Sequence, residues 1–137
     1  MIVDIGTDLC DIRRLQSTLE RQGDRFAQRV LGPQEWLIYQ QRLGEAPGRA
    51  LRYLATRFAA KEAFSKAIGT GMRAPMSWQH CEILNAASGQ PALALSGELA
   101  PWFETRCWTA HVSVSDEVDH ALAFVVIERR LDEPPAA

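Results

Sequence analysis

Residues 108–128 read WTAHVSVSDEVDHALAFVVIE. Two runs within this stretch, WTAHVSVS and HALAFVVIE, are rich in the β-branched and aromatic residues of strands, and the polar DEVD joins them. A connection this short between two extended runs predicts an antiparallel pair. The first run alternates, so His111 shares a face with Ser113 and Ser115, opposite Val112 and Val114. Working backwards, HCEILN (80–85) and PALALS (91–96) are strand-like, and AASGQ between them suits a hairpin. GELAPWFETR (97–106) reads as a helix that Pro101 opens or interrupts.

The N-terminal half has a different rhythm. IVDIGTDL (2–9) reads as a short strand ending at a turn, with Gly6 near its end. Asp11 can cap a helix carrying Ile12, Leu15 and Leu19, and Gly23 stops it. A second short helix runs from Asp24 through Val30. Pro33 suits the first turn of a third, reaching about Arg42, and GEAPG (44–48) reads as a loop. A longer helix spans about Arg49 to Ile68 and ends at Gly69. The fold class is therefore α+β: an N-terminal strand and helices, with an antiparallel sheet built mainly from the C-terminal half. Residues 1–130 form one domain, and LDEPPAA (131–137) is a polar tail expected to be disordered.

Composition narrows the classes. Hydrophobic residues make up 47% and charged residues 23% of the 137, ordinary for a globular domain. No apolar run approaches a membrane span, and MIVDIGTDL lacks the basic start and apolar core of a signal peptide. Cys10, Cys81 and Cys107 are odd in number and not in CxxC spacing, which fits free thiols in a reducing cytoplasm. Residues 1–73 carry 12 basic and 8 acidic side chains, whereas residues 74–137 carry 3 and 9. A basic first half suggests an anionic partner. Nucleic acid is disfavoured, because the aromatics do not interleave with the arginines.

The only two lysines, against 13 arginines, fall in RFAAKEAFSKAIGTG (57–71). On a helical wheel Ala59, Ala60, Ala63, Phe64, Ala67 and Ile68 share one side, and Arg57, Lys61, Glu62, Ser65 and Lys66 the other. Phe58 interrupts the polar arc, which suggests a contact on that face, with a ligand, a loop or another subunit. Glu62 and Lys66 are spaced for an i, i+4 ion pair. The glycines of Gly-Thr-Gly allow close approach of an anion, but a helix C-terminus repels it, so Lys66 would have to supply the charge. Asp8, read at a strand end, and Glu62 could together hold Mg²⁺, which takes one or two carboxylates plus waters and phosphates. Two acids and a lysine are a possible phosphoryl-transfer set; capping by Asp8 and a plain surface pair are the alternatives. Lys61 projects away from Glu62 and has no assigned role.

Three blocks in order carry a resemblance: IVDIGTDLCDIRRL (2–15), RFAAKEAFSKAIGTG (57–71) and HVSVSDEVDHALAFVVIE (111–128). GDRFAQRVL and SGQPAL add to it. Together they resemble the small trimeric 4'-phosphopantetheinyl transferases, the holo-(acyl-carrier-protein) synthases, over nearly the whole chain. The resemblance implies transfer of 4'-phosphopantetheine from coenzyme A to a serine of apo acyl carrier protein, releasing adenosine 3',5'-bisphosphate. It implies Mg²⁺ on Asp8 and Glu62, Lys66 at the coenzyme A phosphates, and Ser65, Gly69, Gly71 and His111 in coenzyme binding. It implies a homotrimer with sites between subunits, and carrier docking on Arg14, Arg21, Arg25, Arg29 and Phe58. Many members have histidine after HVSxS; here Asp116 follows Ser115, as in some members. The rival readings are another Mg²⁺-dependent transferase using a nucleotide diphosphate, and a non-enzymatic basic adaptor for acidic proteins.

Overall fold

The computed structural model describes residues 1–131; the C-terminal part of the expected tail, 132–137, lies outside them. The predicted C-terminal pair forms as β4 (Trp108–Asp116) and β5 (His120–Arg129), antiparallel, with His111 opposite Val126 and Val114 opposite Ala123. The N-terminal strand β1 (Ile2–Asp11) adds to the other side of β5, also antiparallel, giving the order β1-β5-β4. The first and last strands of the fold are thus neighbours. The alternation of β5 separates its two faces: Ala121, Ala123, Val125 and Ile127 are buried, while Leu122 and Phe124 are exposed.

Four helices fill the first half: α1 (Ile12–Gln22), α2 (Asp24–Val30), α3 (Pro33–Glu45) and α4 (Pro47–Ala67). The Asp11 carboxylate caps α1, accepting from the Arg13 N–H at 3.0 Å, and Gly23 ends it at φ 66°. Pro33 begins α3. A two-stranded sheet, β2 (Cys81–Asn85) with β3 (Pro91–Leu95), and the short α5 (Leu99–Glu104) complete the chain. No described helix is long and apolar enough to cross a membrane.

The long helix α4 lies across the inner face of the three-stranded sheet. Its fully buried Ala59, Ala60 and Ala63 let the helix come close, and Phe64 fills the space toward Phe103, centroids 5.7 Å apart. Each large side chain buried here contributes about 1.5–3 kcal/mol of apolar burial.

Two expectations need correction. β1 does not end near Gly6; it continues to Asp11, because its partner β5 is long enough to pair all of it. Gly6 is instead the place where α4 touches the strand, and a Cβ there would collide with the Ala63 carbonyl. GEAPG is not a loop: α3 runs to Glu45 and α4 starts at Pro47, with Ala46 alone between them. Here Pro47 serves as a helix start rather than a loop residue. The polar arc of α4 does meet other segments, the kind of contact Phe58 suggests. Arg57, Lys61 and Ser65 are buried, because α3 and β2 cover that side of the helix.

Candidate active site

Asp8 sits in the middle of β1 rather than at a strand end, on the inner face with Gly6 and opposite Ala123. The close approach of β1 and α4 at Gly6 brings Asp8 beside the last two turns of α4. There the Lys66 ammonium donates to Asp8 Oδ1 at 3.2 Å and to the Thr7 carbonyl at 3.1 Å. The expected Glu62–Lys66 pair is not made; Lys66 reaches across to the strand instead. Among the described residues no donor reaches the Glu62 carboxylate. Burial, and then the Asp8 carboxylate, push Glu62 above the usual carboxylate range, with Lys66 opposing.

Two carboxylates with one cation between strand and helix form an anionic, hard-oxygen set. Among the described residues no group of three or more His, Cys, Asp or Glu could hold a metal. Two carboxylates fit a cation that takes its remaining ligands from water and substrate phosphate, as Mg²⁺ does. A half-buried acid raised by burial and then by its neighbour is also a site that a dication would relieve.

The other expected residues divide. Gly69 and Gly71 adopt φ 84° and 57°, a left-handed backbone that favours glycine, and the Gly71 N–H closes back on the Ser65 carbonyl at 3.0 Å. No atom lies within 4 Å of where a Cβ would stand at either glycine, so the surface beside Lys66 is open. Ser65 is turned inward: it is buried and its hydroxyl donates to the Glu62 carbonyl at 2.7 Å. His111 does not join Asp8 within the chain. It pairs with Val126, which in turn pairs with Ile5, on the outer face of the sheet, and Asp8 lies on the inner face, so the strand period separates them. Its Nε2 is 3.8 Å from the Glu128 carboxylate.

The five residues expected for carrier docking divide between two depressions. Arg14 and Phe58, with Leu9, Leu15 and Phe26, line a groove of about 480 Å³. Arg21, Arg25 and Arg29 line a second depression of about 410 Å³, and the Arg29 guanidinium stands 5.8 Å from the ring centroid of Phe26 in the groove. Phe58 is anchored by Trp78, stacked at 5.2 Å, and by Phe26 at 6.0 Å.

Sequence reasoning missed a second cationic place. Arg42, Arg49, Arg52 and Arg57 line a cavity of about 420 Å³ with Tyr53. The Arg42 and Arg57 guanidiniums stand 4.7 Å and 4.2 Å from the Tyr53 ring centroid, and the buried Tyr53 hydroxyl has no partner among the described residues. The spacing of arginines along residues 42–57 was the available signal, read only as bulk charge.

Comparison with known proteins decides what this site belongs to. Residues 4–125 match the family model of the 4'-phosphopantetheinyl transferase superfamily. A holo-(acyl-carrier-protein) synthase of Methylibium petroleiphilum is 62% identical over 128 residues, 93% of this chain and 97% of that one. The chain belongs to the holo-(acyl-carrier-protein) synthase family. The crystal structure of the Neisseria meningitidis synthase superimposes with a TM-score of 0.87 at 41% identity, covering 94% of this chain and 100% of that one. The Bacillus anthracis synthase, in complex with CoA (3',5'-ADP), gives 0.78 at 35% identity, covering 95% and 99%.

This synthase-family chain transfers 4'-phosphopantetheine from coenzyme A to apo acyl carrier protein. The other-transferase and adaptor readings give way to that reaction.

Proposed function

We propose that the transfer takes place at Asp8, Glu62 and Lys66, with Mg²⁺ held by the two carboxylates. The observation that carries this reading is the Lys66 ammonium lying 3.2 Å from Asp8 Oδ1, with Glu62 one turn earlier on the same helix. The metal, when bound, supplies neutralisation of the diphosphate charge. Lys66 is more than half exposed, so it can turn from Asp8 to an incoming phosphate. Its charge then stabilises the oxygen that leaves with adenosine 3',5'-bisphosphate while the carrier serine oxygen bonds to the β-phosphorus. Gly69 and Gly71 keep the approach to Lys66 open. The four-arginine cavity has the charge for the further phosphate that coenzyme A carries on its ribose. The groove and depression lined by Arg14, Arg21, Arg25, Arg29 and Phe58 take the acidic carrier protein, its arginines speeding encounter and setting orientation.

The working form we propose is a homotrimer. The outer sheet face exposes Ile5 (51%), Leu9 (64%), Leu122 (47%) and Phe124 (40%) side by side, an apolar patch that a second copy would cover. His111 lies on that same face, so assembly would carry it to a neighbouring copy's coenzyme. The free thiols of Cys10, Cys81 and Cys107 suit the cytoplasm, where we place the reaction.

The test is the intact mass of apo acyl carrier protein after incubation with this protein, coenzyme A and Mg²⁺, with and without EDTA. A gain of one phosphopantetheine that EDTA suppresses is expected. A gain that EDTA leaves untouched removes the metal from the reading. No gain, with coenzyme A bound, removes this carrier protein from it.

A further inference from the structure

Lys61 is the residue of the helix motif that the chemistry leaves unused. It is fully buried, and its ammonium donates to Glu35 Oε1 at 2.5 Å, the Val30 carbonyl at 2.6 Å and the Trp78 carbonyl at 2.7 Å. Three donors meet three acceptors, so the group is fully satisfied. None of the acceptors belongs to α4. They come from the end of α2, the first turn of α3 and the loop before β2.

One of these segments, α2, forms a wall of the carrier groove, and the loop before β2 backs another. Val30 lies one turn after Phe26, and Trp78 is the residue on which Phe58 stacks. Phe26 and Phe58 both line the groove. The third acceptor is itself immobilised. Glu35 also accepts from the Gly32 N–H at 2.9 Å and the Ile83 N–H at 2.8 Å, and Glu82 takes the Gln34 and Glu35 N–H groups at 2.9 Å and 3.0 Å. Gly32 leaves room for Glu82, whose side chain occupies the space a Cβ would need. Lys61 is therefore tied to a fixed frame, between Phe58 one turn before it and Glu62 next to it on α4. A buried ion pair is weak evidence for stability, because apolar replacements of similar volume often do as well. Its value here lies in the geometry it imposes.

We propose that Lys61 is a positioning residue for carrier-protein recognition. By pinning the end of α2 and the Trp78 backbone to the turn of α4 that bears Glu62, it holds the groove walls at a set distance from the reacting carboxylate. The proposal rests on the reading of the groove as the carrier site.

Lys61→Met alone would leave the Glu35 charge buried without its partner, so the main variant is the neutral pair Lys61→Met/Glu35→Gln. Steady-state kinetics with carrier protein and coenzyme A varied separately, below the melting transition, are combined with calorimetric binding of coenzyme A. The KM for carrier protein should rise roughly ten- to hundredfold, the scale of displaced positioning groups, with the KM and Kd for coenzyme A unchanged. A lower melting temperature with both KM values unchanged would overturn the proposal, as would equal rises in both. If the pair does not fold, Glu35→Gln alone is read the same way; a smaller rise in carrier KM is expected, and an unchanged one overturns the proposal. Arg14→Glu separates the two claims. If it raises the carrier KM and the Lys61 variants do not, the groove stands and the pin fails. If it leaves the carrier KM unchanged, the groove reading itself fails.

Discussion

Gly6 of β1 lies directly against α4: a Cβ on it would overlap the Ala63 carbonyl oxygen and come within 3.0 Å of the Ala67 nitrogen. That contact sets the distance between the strand bearing Asp8 and the helix bearing Glu62 and Lys66. Gly6→Ala should cost about 1–3 kcal/mol, as overpacking of a backbone contact does. It should also lower turnover more than unfolding accounts for, because the carboxylates move apart. Urea denaturation beside turnover of the folded fraction measures both; normal turnover per folded molecule would show that this spacing is not critical.

Removing either acid tests the metal assignment. Asp8→Asn and Glu62→Gln should each reduce turnover by about 10²–10³ or more, the range for losing a principal electrostatic element. The fold should survive, since neither carboxylate is used in the core. Circular dichroism, turnover and Mg²⁺ titration in the presence of coenzyme A are the measurements. Near-normal turnover in Glu62→Gln would sink the assignment.

Two cationic places predict two kinds of loss. Lys66→Ala gives up an exposed pair worth at most about 1 kcal/mol, so stability should barely change while coenzyme A use weakens. Arg52→Ala should also weaken coenzyme A, and in addition should narrow the preference for coenzyme A over its form lacking the ribose 3'-phosphate. If Arg52→Ala keeps that preference intact, the four-arginine cavity does not hold this phosphate.

Burial holds the Cys81 thiol up at about 12 and the Tyr53 hydroxyl also at about 12. The unfolded chain releases these protons near the ordinary values of about 8.5 and 10. The folded state keeps them longer, so their contribution is fully present at neutral pH and is lost as pH rises from about 9 toward 12. Each group adds a slope of up to about 1.4 kcal/mol per pH unit in that window. Tyr53→Phe and Cys81→Ala should each flatten the alkaline loss of stability, read by denaturant titration at pH 8, 10 and 11. An unchanged slope would mean that neither proton is retained on folding.

The outer sheet face tests assembly. Phe124→Glu places a charge in the middle of the exposed apolar patch. If the protein works as the proposed trimer, sedimentation should shift from trimer to monomer, with transfer lost alongside it because His111 would no longer reach a neighbouring copy. A trimeric Phe124→Glu would place the subunit contact elsewhere.

Much of this protein is local and was legible as such. The Asp11 cap, the Gly23 stop, the Pro33 start, the hairpin around Gly89 and the β4–β5 pair follow from residues within a few positions of one another. The block around Glu62 and Lys66 marked the groups proposed here to react, because phosphoryl transfer needs paired acids and a cation at short range. What the sequence could not decide is long-range. The pairing of β1 with β5 across the whole chain length keeps Asp8 inside a strand and sends His111 to the opposite face. The burial of Lys61 among Val30, Glu35 and Trp78 makes a core residue of a lysine to which the sequence assigned no role. Lys66 chooses Asp8, 58 positions away, over the local Glu62. A wheel or an alternation pattern tells which residues share a face. Only tertiary packing decides what that face meets, because the choice depends on segments distant in sequence competing for the same surface.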